Sequence, residues 1–338
     1  MSTRSAIPVP GAAAGPLLRL KLQFIDALRN MPLLHSRIWR MRQAYRHVQR
    51  RLLVAKPVVD AGPLLKEAIR SRSPYAAGKM GKYEILGLQS YLRREHSRKA
   101  GQPVPAYDPY LSLTLFQNAG VFPQSDEIFD RFGAEFLDVI NQCDALAAWE
   151  IEGETEIFRR HCQRTSLVTL VSLEPYYSKD PWSAELEGRR VLVVSPFVES
   201  IRDQYSVRET LFDDPRVLPA FDLQFVRPPF SAGIVPPRAA DWFEALGELK
   251  QQMDALDYDV ALIGAGAFSL PLAVHARSRG KVGIHLGGPT QTLFGVMGKR
   301  WLKNQAFKEN SFVKPSWKPP RPEETPDAAV RIEGGCYW

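Results

Sequence analysis

The chain of 338 residues carries a formal net charge of +7, with 45% hydrophobic and 24% charged residues, and this composition is ordinary for a soluble globular protein. The length suits one large α/β domain or two small ones. The three cysteines form no CxxC pair, which excludes a cysteine-based zinc site. No long uncharged apolar window occurs, so no membrane span is predicted. Charges interrupt the N-terminal apolar stretches, so no signal peptide is predicted.

Residues 1–60 are predicted to form a basic helical arm. Residues 1–16 are rich in Pro, Ala, Gly and Ser, so we expect them to be disordered. Apolar residues recur at helical spacing over 17–55, with a break near Pro32. Ten Lys/Arg and one acid in 17–56 allow two interpretations. The arm is either a helical hairpin packed on the main domain or an interfacial helix on anionic lipid.

The α/β domain is predicted to span 61–311. Its first half should contain helices at 63–71, 82–94, 126–149 and 153–161, strands at 75–80 and 166–173, and a strand or short helix at 107–116. Ser125 is the expected N-cap of the third helix, because Ser accepts hydrogen bonds from the first free N–H groups.

The second half alternates more clearly between strands and helices. Apolar runs predict strands at 190–195, 221–227, 258–263 and 281–285, with helices at 199–211, 241–256 and 269–279. This alternation predicts a Rossmann-like α/β fold, with a mostly parallel sheet flanked by helices. The Pro-rich tail, 312–338, is expected to run over the surface in an extended form.

Ligands of a parallel sheet bind beyond the carboxyl ends of its strands. This rule selects the loops that follow Met80, Val194, Ile263 and Ile284. No nucleophile elbow, zinc-protease motif or P-loop occurs, and the histidines are too scattered to predict a metal site.

The loop after Ile263 contains Gly264, Gly266 and Ser269 and leads into a predicted helix. Small residues there allow backbone amides and a helix N-terminus to approach a phosphate. The next strand ends in His285, where a dinucleotide site needs Asp or Glu, so a nucleoside diphosphate is favoured over NAD. Tight strand-to-helix packing explains the glycines equally well, and both interpretations remain open.

The loop after Ile284 offers hydrogen-bonding groups and small residues for a donor pocket: His285, Gly287, Gly288 and Gln291. Downstream, Arg300 could neutralise a pyrophosphate, and Trp301 could stack on a base or sugar. The alternatives are a core histidine with satisfied hydrogen bonds and, for Lys299 and Arg300, a solvated pair.

Polar residues also follow the other two strands. After Val194 they are Ser195, Gln204, Tyr205 and Arg208. After Met80 come Gly81, Lys82 and Glu84, with Glu84 in the first helical turn. A carboxylate there is a general base, a metal ligand or a helix-capping group, and the residue pattern leaves these open.

The blocks 259–266, 271–273, 280–281 and 284–288, with Gln291, resemble the C-terminal part of GT-D-type glycosyltransferases. Residues 191–197 are similar to the preceding strand of that family, and 75–88 to its N-terminal Asp-x-Glu block. The run from Gly287 to Trp301, the segment 118–123 and the ending 333–338 resemble a bacterial branch found with surface-polysaccharide genes.

One position departs from the family pattern, because Lys82 stands where the Asp of Asp-x-Glu is expected, while Glu84 matches its Glu. Lysine cannot ligate a divalent cation as a carboxylate does, so the metal requirement stays open. Lys82 could instead offset the diphosphate charge without a metal.

The resemblance implies that Glu84 is the catalytic or donor-orienting carboxylate. It implies that donor and diphosphate are bound by Lys79, Gly81, Lys82, Ser195, Gly264, Gly266, Ser269, His285, Gly287, Gly288, Gln291 and Arg300. It implies that acceptor or sugar contacts come from Asn118, Gln204, Tyr205, Arg208 and Trp301.

The resemblance therefore implies a cytoplasmic glycosyltransferase of the hexosyltransferase type. It would use a nucleoside-diphosphate sugar, with a UDP sugar as the first expectation, and a glycan or lipid-linked acceptor. Residues 17–56 would contact the inner face of the membrane, and no nucleic-acid partner is expected. Two alternatives remain: another nucleotide-dependent polysaccharide-modifying enzyme, and a non-catalytic nucleotide-sugar or partner-binding protein on the same fold.

Overall fold

The structure, a computed structural model, describes residues 32–230, 235, 237–302, 307 and 312–338, with the side chains of the first helix described from Met41 onward. The predictions for 1–16 and for the helical segment before Pro32 lie outside the described residues. None of the helices in the described ranges combines the length and apolarity that a bilayer crossing requires.

One eight-stranded parallel sheet forms the centre of the described chain, with strand order β1-β4-β3-β2-β8-β7-β5-β6. The strands are β1 (Val58–Val59), β2 (Tyr75–Gly78), β3 (Ala145–Ala148), β4 (Ser166–Thr169), β5 (Arg190–Val194), β6 (Asp222–Val226), β7 (Val260–Ile263) and β8 (Val282–His285). The predicted α/β fold with a parallel, helix-flanked sheet is confirmed.

Helices cover the sheet and form the outer layers. They are α1 (Pro32–Leu53), α2 (Ala61–Ser71), α3 (Lys82–Lys99), α4 (Pro109–Thr114), α5 (Asp126–Gln142), α6 (Glu154–His161), α7 (Val198–Ser206), α8 (Trp242–Asp254), α9 (Ser269–Ser278), α10 (Pro289–Leu293) and α11 (Lys299–Leu302). The predicted N-cap is confirmed, since the Ser125 side chain accepts a hydrogen bond from the Ile128 N–H at 3.2 Å.

The two halves of the chain meet where β2 pairs with β8. Ala76 lies opposite Gly283, and a Cβ on Gly283 would lie 2.3 Å from the backbone oxygen of Ala273 in α9. Glycine therefore lets α9 pack directly on the sheet. Because all the strands are parallel, the carboxyl ends of β2, β5, β7 and β8 share one edge.

The predicted helix 126–149 is wrong in its second part. Helix α5 ends at Gln142, Cys143 is extended, and Ala145–Ala148 forms β3 between β2 and β4. A short alanine-rich run has no periodicity that separates a buried strand from a helix, so tertiary pairing decides its structure. The uncertain segment 107–116 is helical, as α4 followed by a π-helical turn at Leu115–Ala119.

The prediction that the tail is an extended surface segment is wrong. It forms short 3-10 turns at Pro322–Glu324 and Ala329–Arg331 and buries Glu324 completely. The Glu324 carboxylate accepts hydrogen bonds from the N–H groups of Glu199 (2.8 Å) and Ser200 (3.0 Å) at the start of α7. A carboxylate at a helix N-terminus satisfies free donors and complements the helix dipole, and this fixes the tail to the domain.

Candidate functional site

A pocket of about 440 Å³ opens at the carboxyl edge of the sheet, a size typical of small-molecule sites. All four loops selected from the sequence contribute to it. The predicted site residues that line it are Lys79, Gly81, Lys82, Glu84, Asn118, Ser195, Gly264, Gly266, His285, Gly287, Gly288, Gln291 and Arg300.

Glu84 lies in the first turn of α3, directly after the turn at Gly81. Its side chain folds back over that turn, so a Cβ on Gly81 would lie 2.1 Å from Glu84 Oε2. Burial raises the pKa of Glu84 to about 7, opposed by a hydrogen bond from its own backbone N–H. Nearby Glu333 also raises this pKa and Lys79 lowers it. The carboxyl group can therefore exchange a proton near neutral pH.

Basic side chains enter the pocket from two sides. Lys79 follows β2, and its Nζ lies 5.6 Å from the centroid of the Trp149 ring. Burial lowers the pKa of Lys79. On the other side, Arg300 forms an ion pair with Glu333 and lies 4.7 Å from the centroid of the Tyr337 ring. These two cations provide positive charge for an anionic ligand.

His285 ends β8 and is buried at the base of the pocket, with 7% of its surface exposed. Its Nδ1 lies 3.4 Å from the Ile263 carbonyl oxygen. A carbonyl only accepts hydrogen bonds, so this contact assigns the proton to Nδ1 and leaves Nε2 as an acceptor. Burial, together with the charge of Lys79, lowers the pKa of His285 to about 3. The ring is therefore neutral at physiological pH.

Two turns of small residues form the rest of the base. A Cβ on Gly264 would lie 2.7 Å from both the Gly287 carbonyl oxygen and Thr290 Oγ1. Gly266 and Gly287 have φ values of 57° and 69°, which favour glycine. The buried Thr290 Oγ1 has no hydrogen-bond partner in the described chain, although Thr290 lines the pocket. The turns thus pack closely and bury this hydroxyl between them.

Gly264→Ala should lower the free energy of unfolding by about 1–3 kcal/mol, because the added methyl group pushes two backbone turns apart. Urea denaturation measures this change. The matched control is Gly247→Ala inside α8, where an added Cβ meets nothing described within 4 Å. That substitution should stabilise the protein by about 0.5–1 kcal/mol through helix propensity. Equal stability of both variants would contradict the tight contact at Gly264.

Ser269 and Trp301 do not line the pocket, contrary to the sequence-based expectation. The fully buried Ser269 Oγ accepts a hydrogen bond from the Ala265 N–H at 2.8 Å, so it fixes the turn from inside. Trp301 is 3% exposed and packs beneath Gly288, whose Cβ position is 3.2 Å from the indole. Both residues support the pocket walls from behind.

Of the polar residues after β5, Ser195 lines the pocket, whereas Gln204, Tyr205 and Arg208 lie outside it. Gln204 donates hydrogen bonds to the carbonyls of Gly295 (3.0 Å) and Ser316 (2.9 Å). Tyr205 donates to the Phe221 carbonyl at 2.9 Å, and Arg208 pairs with Glu209. This part of α7 packs against the tail and β6 and not against the ligand edge. The sequence could not show that the tail returns to this helix.

The tail also supplies pocket residues that were not predicted as site residues. The unexpected lining residues include Tyr83, Trp149, Phe197, Phe230, Ile332, Glu333, Tyr337 and Trp338. The signal for the tail residues was the presence of one acidic and two aromatic side chains, Glu333, Tyr337 and Trp338, within 333–338. The expectation of an extended tail on the surface kept them from being assigned to the site.

Trp149 lines the pocket because it directly follows β3. The sequence did not predict this strand, so it did not predict Trp149 as a site residue either. Its indole Nε1 donates to the Met80 carbonyl at 3.1 Å, which holds the ring against the β2 loop. The buried Glu154 carboxylate accepts from the N–H groups of Trp149 (3.2 Å) and Glu150 (2.9 Å). Burial raises the pKa of Glu154 to about 8. The pocket wall therefore depends on a buried acid behind it.

The donor set of the pocket does not fit a divalent cation. No group of three His, Cys, Asp or Glu side chains that could hold a metal occurs within the described ranges. Within the pocket, Glu333 is paired with Arg300, and Lys79 lies close enough to Glu84 to lower its pKa. Calcium and magnesium need several oxygen ligands, and these carboxylates already have cationic neighbours.

Comparison of the chain with protein-family models, with curated proteins and with solved structures finds no match.

Proposed function

We propose that the chain is a glycosyltransferase of the GT-D type that uses a nucleoside-diphosphate sugar. The observation that carries this proposal is that one pocket contains two cationic side chains and a carboxyl group whose pKa is raised by burial to about 7. These groups are Glu84 and the pair Lys79 and Arg300. Glycosyl transfer needs a base for the acceptor hydroxyl and positive charge for the departing diphosphate.

In the proposed reaction, the acceptor hydroxyl oxygen attacks the anomeric carbon of the donor sugar. The bond from that carbon to the diphosphate oxygen breaks, and its electron pair leaves with the diphosphate. Glu84 takes the hydroxyl proton, and Lys79 and Arg300 stabilise the charge that develops on the leaving group. The neutral His285 presents Nε2 as a hydrogen-bond acceptor for a sugar or ribose hydroxyl.

We propose that charge neutralisation comes from side chains and not from a divalent cation. Lys82 lies at the pocket rim, in the place where the resembling family has an Asp. The turns at Gly264 and Gly287 have no side chains that would fill the space beside these cations, although their own N–H groups donate to the carbonyls of Val194 (2.8 Å) and Ile263 (3.1 Å). Activity should then persist in excess chelator.

The acceptor in this proposal is a growing surface glycan or a lipid-linked sugar, and the enzyme acts in the cytoplasm at the inner face of the membrane. The pocket contains aromatic side chains at the end built from Phe197, Phe230 and Trp338, with the Phe197 and Trp338 ring centroids 6.0 Å apart. Aromatic rings offer the apolar surface that a base or sugar ring needs.

The first test is nucleotide binding. UDP or a UDP sugar should raise the apparent melting temperature, because a ligand of the native state stabilises it by mass action. Lys79→Met should weaken binding by about tenfold to a hundredfold, as expected for the loss of one charge-assisted contact. Differential scanning fluorimetry against UDP, GDP, CMP and dTDP sugars measures both effects.

The matched control for this test is Lys99→Met, at the exposed end of α3 and outside the pocket. It should bind nucleotide like the wild type. If no nucleotide or nucleotide sugar stabilises the wild type, the proposed function fails. If Lys79→Met and Lys99→Met behave alike, the assignment of the diphosphate to Lys79 fails.

A further inference from the structure

Helix α1 is attached to the domain through one face only, as far as its described side chains show. Arg46 donates to the Glu150 carbonyl at 3.2 Å, and Arg50 Nε donates to the Glu150 carboxylate at 3.0 Å. Arg50 is 5% exposed, so this contact is well buried. The helix therefore has a fixed orientation on the loop that follows β3.

The opposite face of α1 carries an exposed apolar stripe. Its members and their exposed fractions are Met41 (72%), Tyr45 (67%), Val48 (54%) and Leu52 (78%). At 3.6 residues per turn these positions fall within about 60° of one another and roughly opposite the two arginines that bind Glu150. The stripe therefore points away from the domain. Four large apolar side chains this exposed along one helix face indicate a surface that a membrane or a partner protein covers.

Positive charge borders the stripe. Arg42 and Arg51 are exposed beside it, and the sequence of α1 contains no acidic residue. A second copy of the chain would bring the same basic border against itself, which like-charge repulsion disfavours. The segment 17–31 is also basic, with Arg19, Lys21 and Arg29 against a single acid. Charge complementarity instead selects a surface that combines apolar depth with negative charge.

We propose that α1 lies in the plane of an anionic lipid surface, with the stripe in the acyl–headgroup boundary and the flanking arginines on the headgroups. An apolar stripe bordered by arginines is the pattern of an interfacial helix. This docking surface does not depend on which ligand the pocket binds.

The attachment point connects this surface to the pocket. Glu150, which binds Arg46 and Arg50, directly follows Trp149 in the pocket wall. Glu154 holds the backbone N–H groups of both Trp149 and Glu150. A helix bound to lipid would therefore fix the pocket at short range from the lipid surface. This consequence rests on the proposed function, in which a lipid-linked acceptor lies at that surface.

The test is vesicle flotation of the full chain with phosphatidylcholine vesicles and with vesicles of equal parts phosphatidylcholine and phosphatidylglycerol. The wild type should bind the anionic vesicles and be released by added salt. The triple variant Tyr45→Ser/Val48→Ser/Leu52→Ser and the double variant Arg42→Gln/Arg51→Gln should each bind about tenfold or more weakly.

The control replaces three exposed valines elsewhere, as Val104→Ser/Val171→Ser/Val207→Ser, with exposed fractions of 39%, 50% and 42%. It should bind vesicles like the wild type. Unchanged melting temperature and nucleotide binding in the stripe variant would show that its fold and pocket are intact. The proposal is overturned if the wild type ignores anionic vesicles, if the stripe variant still binds them, or if light scattering shows a dimer that only the stripe variant loses.

Discussion

Glu84→Gln should lower kcat for sugar transfer by about 10²–10⁴-fold, the usual contribution of a general base. Glutamine has nearly the same shape as glutamate but cannot accept the hydroxyl proton. It also keeps an oxygen for the hydrogen bond from the residue's own backbone N–H, so the start of α3 should be preserved. Donor binding should change little, because the diphosphate contacts come from the cations. Single-turnover kinetics with a UDP sugar and nucleotide titration separate these two quantities.

The pH dependence gives this prediction a second, independent readout. A general base works in its deprotonated form, and burial raises the pKa of Glu84 to about 7. Activity of the wild type should therefore rise as the pH increases through about 7 and level off above it. The Glu84→Gln variant should lose this rise and keep only a low, flat rate.

The matched control is Glu127→Gln, which changes an exposed acid in the first turn of α5, outside the pocket. It should retain full activity and the wild-type pH profile. If Glu84→Gln keeps normal turnover, Glu84 caps its helix and is not the base. If the wild type binds nucleotide sugars but never transfers or hydrolyses them, the chain is a binding protein on this fold.

The sequence was sufficient to predict the sheet in the second half of the chain. Strand β7 and all but the first residue of β5 are continuous apolar runs, and a run buried on both faces carries its own signal. The carboxyl-edge rule then placed Glu84, His285 and the Gly264 turn in one pocket, because parallel strands must end at the same edge.

The missed parts depend on contacts between distant segments. Strand β3 consists mainly of alanine and has no periodicity of its own, so Trp149 was assigned to the end of a helix. The tail was judged by its prolines, but the buried Glu324 and the hydrogen bonds that it accepts from α7 determine its path. Local composition carries no information about such a long-range contact.

Glu324→Ala should lower the free energy of unfolding by about 2–4 kcal/mol, although Glu324 does not touch the pocket. Its carboxylate accepts hydrogen bonds from two backbone N–H groups and from the Ser200 hydroxyl, and its carbonyl accepts from the Trp338 indole at 2.7 Å. Alanine leaves the donors at the start of α7 buried and unpaired. Urea denaturation followed by tryptophan fluorescence measures the loss.

The same substitution should weaken nucleotide binding, because the tail carries Glu333, Tyr337 and Trp338 into the pocket. If the tail remains docked in about a tenth of the molecules, the apparent affinity falls about tenfold. The matched control is Glu323→Ala, which changes the exposed glutamate directly before Glu324 and should alter neither the free energy of unfolding nor nucleotide binding. A loss of stability with unchanged nucleotide affinity would show that the tail forms part of the pocket wall but does not contribute to nucleotide binding. Unchanged stability would contradict the capping contact itself, on which the position of the whole tail depends.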